Sequence, residues 1–146
     1  MAPRVKYKDE RELEEVVKKF ENCEYGLAEF PHARHLTVAV WYLSRLPAGE
    51  AMAAMRRSLL RFTEHHKKQG YHETITRFWM ELVAGFLSED GMDRPLVDSV
   101  NALVEDYSNK DIIFAYYSRD RVMSEVAKQE WLEPDVKPLP RAQLSA

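Results

Sequence analysis

All five histidines of this 146-residue chain fall between positions 32 and 72: His32 with His35, His65 with His66, and His72 directly before Glu73. Neutral imidazoles three residues apart on a helix can share a metal ion. One or two more from other segments, with or without a carboxylate, complete the N/O ligand sets used by Zn, Fe, Cu or Ni. His32, His35, His66 and His72 are therefore the expected metal ligands. Glu73 is the expected catalytic group, as a further ligand or as a general base on bound water. Arg34, Tyr42, Tyr71 and Thr76 are the expected substrate contacts. Arg34 suits an anionic group near helix N-termini, while the hydroxyls, with that of Thr74, can hydrogen-bond to the imidazoles.

Helical phase decides which histidines can meet. His35 precedes Ala39, Tyr42 and Leu46 by four, seven and eleven residues, so on a helix it shares their face. His66 continues the series Met52, Met55, Leu59 and Phe62, whereas His65 is rotated about 100° from it toward solvent. His72 stands three residues before Ile75 and seven before Trp79. Three imidazoles thus take core-facing phases.

The elements that must position them are helices. Gly and Pro are few, 5 and 7 residues, and separate stretches of helical periodicity. A first helix spans about 9–21 with Leu13, Val16, Val17 and Phe20 as its stripe. A second, 32–46, is apolar nearly all round and should be central. A third runs to about Lys67, and a fourth, from His72 or Glu73, ends before the Glu89-Asp90-Gly91 turn. A fifth begins at Pro95, and a sixth covers about 111–129. The Met52-Ala53-Ala54-Met55 stretch is core packing. The expected fold is a single all-α domain over residues 1–132, a bundle of five or six helices with a His-rich pocket at one end. Residues 133–146, with Pro134, Pro138 and Pro140, form an extended or disordered tail. Short connections make consecutive helices antiparallel, which brings the start of the second, the end of the third and the start of the fourth to one level.

Composition removes other classes. Lys and Arg number 21 against 24 Asp and Glu, a net charge of -3, without the positive excess of a nucleic-acid-binding protein. The cluster Arg56, Arg57, Arg61, Lys67 and Lys68 reads as a solvated face. Cys23 is the only cysteine, which excludes an intramolecular disulfide and poly-thiolate zinc sites, and fits a small apolar residue in a reducing, cytoplasmic setting. No stretch approaches the roughly 18 apolar residues of a membrane span. No His-Asp dipeptide, phosphate-binding Gly-rich loop, Gly-x-Ser-x-Gly or His-Glu-x-x-His occurs.

The segments Phe30-Pro31-His32-Ala33-Arg34-His35-Leu36, Tyr71-His72-Glu73-Thr74-Ile75-Thr76 and Trp131-Leu132-Glu133-Pro134-Asp135 resemble a group of small, uncharacterised bacterial proteins with His-x-x-His-Leu and Tyr-His-Glu-Thr-x-Thr segments. The resemblance implies no activity or cofactor. The residues themselves point to a small metal-dependent enzyme acting on a small molecule, hydrolytic or oxidative, with a homo-oligomer compatible with the composition. The alternative is a non-catalytic interaction or regulatory module whose histidines are caps and core hydrogen bonds. Haem ligation by two histidines is a third reading.

Overall fold

A computed structural model describes residues 6–90 and 94–139, so Met1–Val5, Gly91 of the expected turn and Pro140–Ala146 of the expected tail lie outside the described residues. Within them every regular element is helical. The longer helices are α1 (Glu10–Glu21), α2 (His32–Arg45), α3 (Ala48–His65), α4 (Glu73–Asp90) and α5 (Leu96–Asp106). Two short ones follow, α6 (Arg119–Val122) and α7 (Glu125–Gln129), with 3-10 turns at Leu27–Glu29 and Lys110–Ala115. None of the described helices is long and apolar enough to cross a membrane.

Helix α1 starts where the Asp9 side chain accepts a hydrogen bond from the Glu12 N–H, and it buries Leu13, Val16, Val17 and Phe20. Helix α2 buries five consecutive residues, Leu36 to Val40, because it packs against α1, α3, α4 and α5 at once. The N-terminal strap is tied to this centre. Tyr7 Oη bonds Thr37 Oγ1 at 3.0 Å, and the Asn101 amide both accepts from Tyr7 N and donates to Tyr7 O at 2.9 Å.

Helices α1 and α3 end in the same way, each through a residue in the left-handed region that is not glycine. After α3, Lys67 (φ 54°) sits between two backbone bonds, Lys67 N to Glu64 O and Lys68 N to Thr63 O, the paired closure of a Schellman motif. After α1, Cys23 (φ 56°) takes the equivalent place, with Cys23 N to Phe20 O and Glu24 N to Lys19 O. The turns release the chain sharply, so α2 and α4 can come back against the helices that precede them.

The sixth helix expected over 111–129 is instead three short pieces. Asn109 Oδ1 accepts from Asp111 N, Ser124 Oγ accepts from Ala127 N, and Asp135 Oδ1 takes the Ser118 N–H. Each polar side chain offers the backbone a local alternative to continued helix. These pieces form a second apolar cluster on α4, where Phe78 and Leu82 meet Ile113, Tyr116, Tyr117 and Val122. Residues 132–137, without regular structure and bent at 135–137, lie along them. The Tyr117 hydroxyl donates to Leu132 O at 2.6 Å, Arg121 Nε to Glu133 O at 2.7 Å, and Val136 N to Tyr116 O at 2.9 Å.

Candidate functional site

The start of α2, the end of α3 and the start of α4 enclose a cleft of about 450 Å³. Helix α2 contributes His32, His35, Leu36 and Ala39 to its wall, and α3 contributes Met55, Leu59, Phe62 and Thr63. Helix α4 and its approach add Tyr71, His72, Ile75, Thr76, Trp79 and Met80, while Leu27, Phe30, Lys68 and Gly70 complete it. This volume lies within the roughly 300–1,000 Å³ of small-molecule sites, and the wall is mostly apolar.

Three histidines face this cleft, and the rings of His32 and His72 are held by different backbone carbonyls. His32 Nε2 lies 3.0 Å from Tyr107 O, with its ring edge-on to Trp79 at 4.4 Å between centroids. His35 packs on the Phe30 ring, 4.3 Å between centroids. His72 uses both nitrogens: Nδ1 accepts from Ile75 N at 3.1 Å, capping the first turn of α4, and Nε2 reaches Val122 O at 2.7 Å. A carbonyl only accepts, so the proton of His72 sits on Nε2, and that of His32 likewise. The fourth expected ligand, His66, lies outside the cleft wall. As the C-cap of α3 it turns its Nε2 to Tyr25 O at 2.9 Å and its ring against Phe62. His65 is exposed, as its phase indicates.

Desolvation keeps the cleft histidines uncharged. It lowers His35 to about 4, with His32 nearby as a further cause, and also lowers His32 and His72 against the opposing pull of their carbonyl partners. Among the described residues, no group of three or more His, Cys, Asp or Glu side chains is arranged to hold a metal ion. His66, His32 and His72 are spread over three separate carbonyls, those of Tyr25, Tyr107 and Val122.

The other expected site residues divide. Tyr71 and Thr76 line the cleft, but their hydroxyls are committed: Tyr71 Oη donates to Glu73 Oε1, and Thr76 Oγ1 to His72 O at 2.8 Å. Glu73 is outside the wall and forms a forked ion pair with Arg56, at 2.9 Å to Nε and 2.6 Å to Nη2. Those bonds, helped by Tyr71, hold its carboxyl below the usual range in spite of partial burial. Thr74 is buried and bridges the C-terminal pieces, donating to Glu130 O and accepting from Leu132 N. The Tyr-His-Glu-Thr-x-Thr run is thus a stitch between the head of α4 and its neighbours.

Arg34 and Tyr42 are elsewhere. The Arg34 guanidinium lies over the Tyr25 ring, 4.5 Å from its centroid, and donates to Glu29 O. The buried Tyr42 hydroxyl donates to Glu21 Oε2 at 2.6 Å and meets Ser58 Oγ at 2.9 Å, and burial with the Glu21 bond pushes it above the ordinary phenol range against the pull of Ser58. Sequence reasoning placed Lys68 on a solvated face and left out Phe30. Both line the cleft, and the sequence signal for Phe30 was its position two residues before His32 in the loop that must close over α2.

Comparison of the chain with protein-family models, with curated proteins and with solved structures finds no match.

Proposed function

We propose that this chain binds an apolar small molecule in the cleft between α2, α3 and α4, and that its histidines are uncharged wall and structural hydrogen-bonding groups. The observation that carries this reading is the cleft itself, about 450 Å³ with aromatic and aliphatic walls and three neutral imidazoles. A largely apolar wall, with its one lysine exposed, favours transfer of apolar ligand surface from water and disfavours an ionic group buried deep in it. It supports a binding module over a metalloenzyme. His72 commits both ring nitrogens, so metal binding through its Nδ1 would break the bond from Ile75 N and uncap α4. The lone Cys23, half-buried and free, fits a reducing cytoplasmic setting.

The test is titration with the neutral fluorescent dye Nile red, alongside elemental analysis of protein purified without a His-tag. Saturable binding of one dye per chain is expected, lost in Thr63→Trp, whose indole fills the cleft from its rim, while the variant keeps native helicity. Absence of saturable dye binding sinks the proposal. Stoichiometric Zn, Fe, Cu or Ni lost in both His35→Ala and His72→Ala would replace it with the metal-dependent enzyme.

A further inference from the structure

We infer that the occupant of the cleft is an amphiphilic monocarboxylate, its apolar body within the walls and its carboxylate at the Lys68 ammonium. This rests on the reading of the cleft as a small-molecule site and names the ligand class. Among the described residues lining the cleft, Lys68 is the one with a full charge at neutral pH, and none is Asp or Glu. His32, His35 and His72, the other ionisable nitrogen bases in the wall, are held neutral by desolvation. Elsewhere Lys18, Lys19, Arg45, Arg56, Arg77 and Lys128 pair with carboxylates, whereas Lys68 has no carboxylate partner among the described residues.

The position of Lys68 is fixed by backbone. Its N–H bonds Thr63 O at 2.9 Å in the Schellman closure of α3, so its Cα sits at the rim beside Thr63 and Gly70, two further wall residues. The side chain is exposed, and so the ammonium stays hydrated at the mouth. A carboxylate deep in an apolar, charge-free cavity loses its hydration without compensation, while one at the rim keeps water and gains a cation. A cationic or zwitterionic ligand finds no anion in this wall. The geometry therefore orders the ligand: apolar end toward Leu36, Met80 and Trp79, anionic end toward Lys68.

The experiment compares decanoate with decanol as displacers of Nile red from the full chain, from Lys68→Gln and from Lys67→Gln, whose side chain is not part of the wall. The two ligands share one apolar body and differ in head-group charge. An exposed ion pair supports a preference for decanoate of about fivefold. This preference should disappear in Lys68→Gln with decanol affinity unchanged, persist in Lys67→Gln, and shrink as added salt shortens the Debye length from about 30 Å at 0.01 M to about 3 Å at 1 M. Equal affinity of the native chain for both ligands, or a preference that survives Lys68→Gln, overturns the ligand class and leaves the cleft reading standing. Failure of both ligands together with failure of Nile red to bind overturns the cleft reading, and this inference with it.

Discussion

The protonation of His35 should be a measurable burden on the fold in mild acid. Its imidazole packs on the Phe30 ring, and desolvation lowers it from 6.5 to about 4. Between those values the unfolded chain binds the proton and the native chain does not, so stability falls as pH drops. The contribution is fully present above about pH 6.5 and is lost as pH falls toward 4. At about 1.4 kcal/mol per pH unit, the whole span is worth about 3 kcal/mol, of which about 2.5 kcal/mol is lost between pH 7.5 and pH 4.5. In His35→Gln the amide stays polar and uncharged and cannot titrate. Urea unfolding followed by far-ultraviolet circular dichroism at a series of pH values should show the wild type losing about 2.5 kcal/mol more than the variant over that range. His32, which repels a charged His35, makes the two histidines non-additive, so His32→Gln and the double variant complete the cycle. Parallel stability curves for wild type and His35→Gln would refute the claim that desolvation holds His35 as a neutral ring.

Lys67 holds a left-handed conformation without glycine's freedom, so Lys67→Gly should stabilise the chain by about 1 kcal/mol, read as a higher urea midpoint at unchanged slope. His72 caps α4 with one nitrogen and holds Val122 with the other, so His72→Ala should cost about 2 kcal/mol, a cap plus one hydrogen bond. Hydrogen exchange should show the loss of protection concentrated at 119–137 and at the first turn of α4, and a uniform loss over all helices would contradict that linkage.

The periodicity of Leu13, Val16, Val17 and Phe20, and the unbroken apolar run of α2, were sufficient to specify amphipathic and central helices, because side-chain burial repeats with the helical turn. The short connections also implied that the starts of α2 and α4 and the end of α3 share one level, where the cleft lies. The ends of α1 and α3 were legible, but their left-handed closures at Cys23 and Lys67 were hidden, since the glycine that usually marks them is absent. The break-up of 110–129 was hidden for another reason: Ser118 is held by Asp135, seventeen positions away. Above all, the sequence placed the histidines but not their partners. His32, His66 and His72 bond to carbonyls 75, 41 and 50 positions distant. Every residue carries a carbonyl, so no pattern of side chains announces which one a ring will meet. Only the packed chain decides that, and with it whether the second ring nitrogen, as at His72, is drawn into the fold as well.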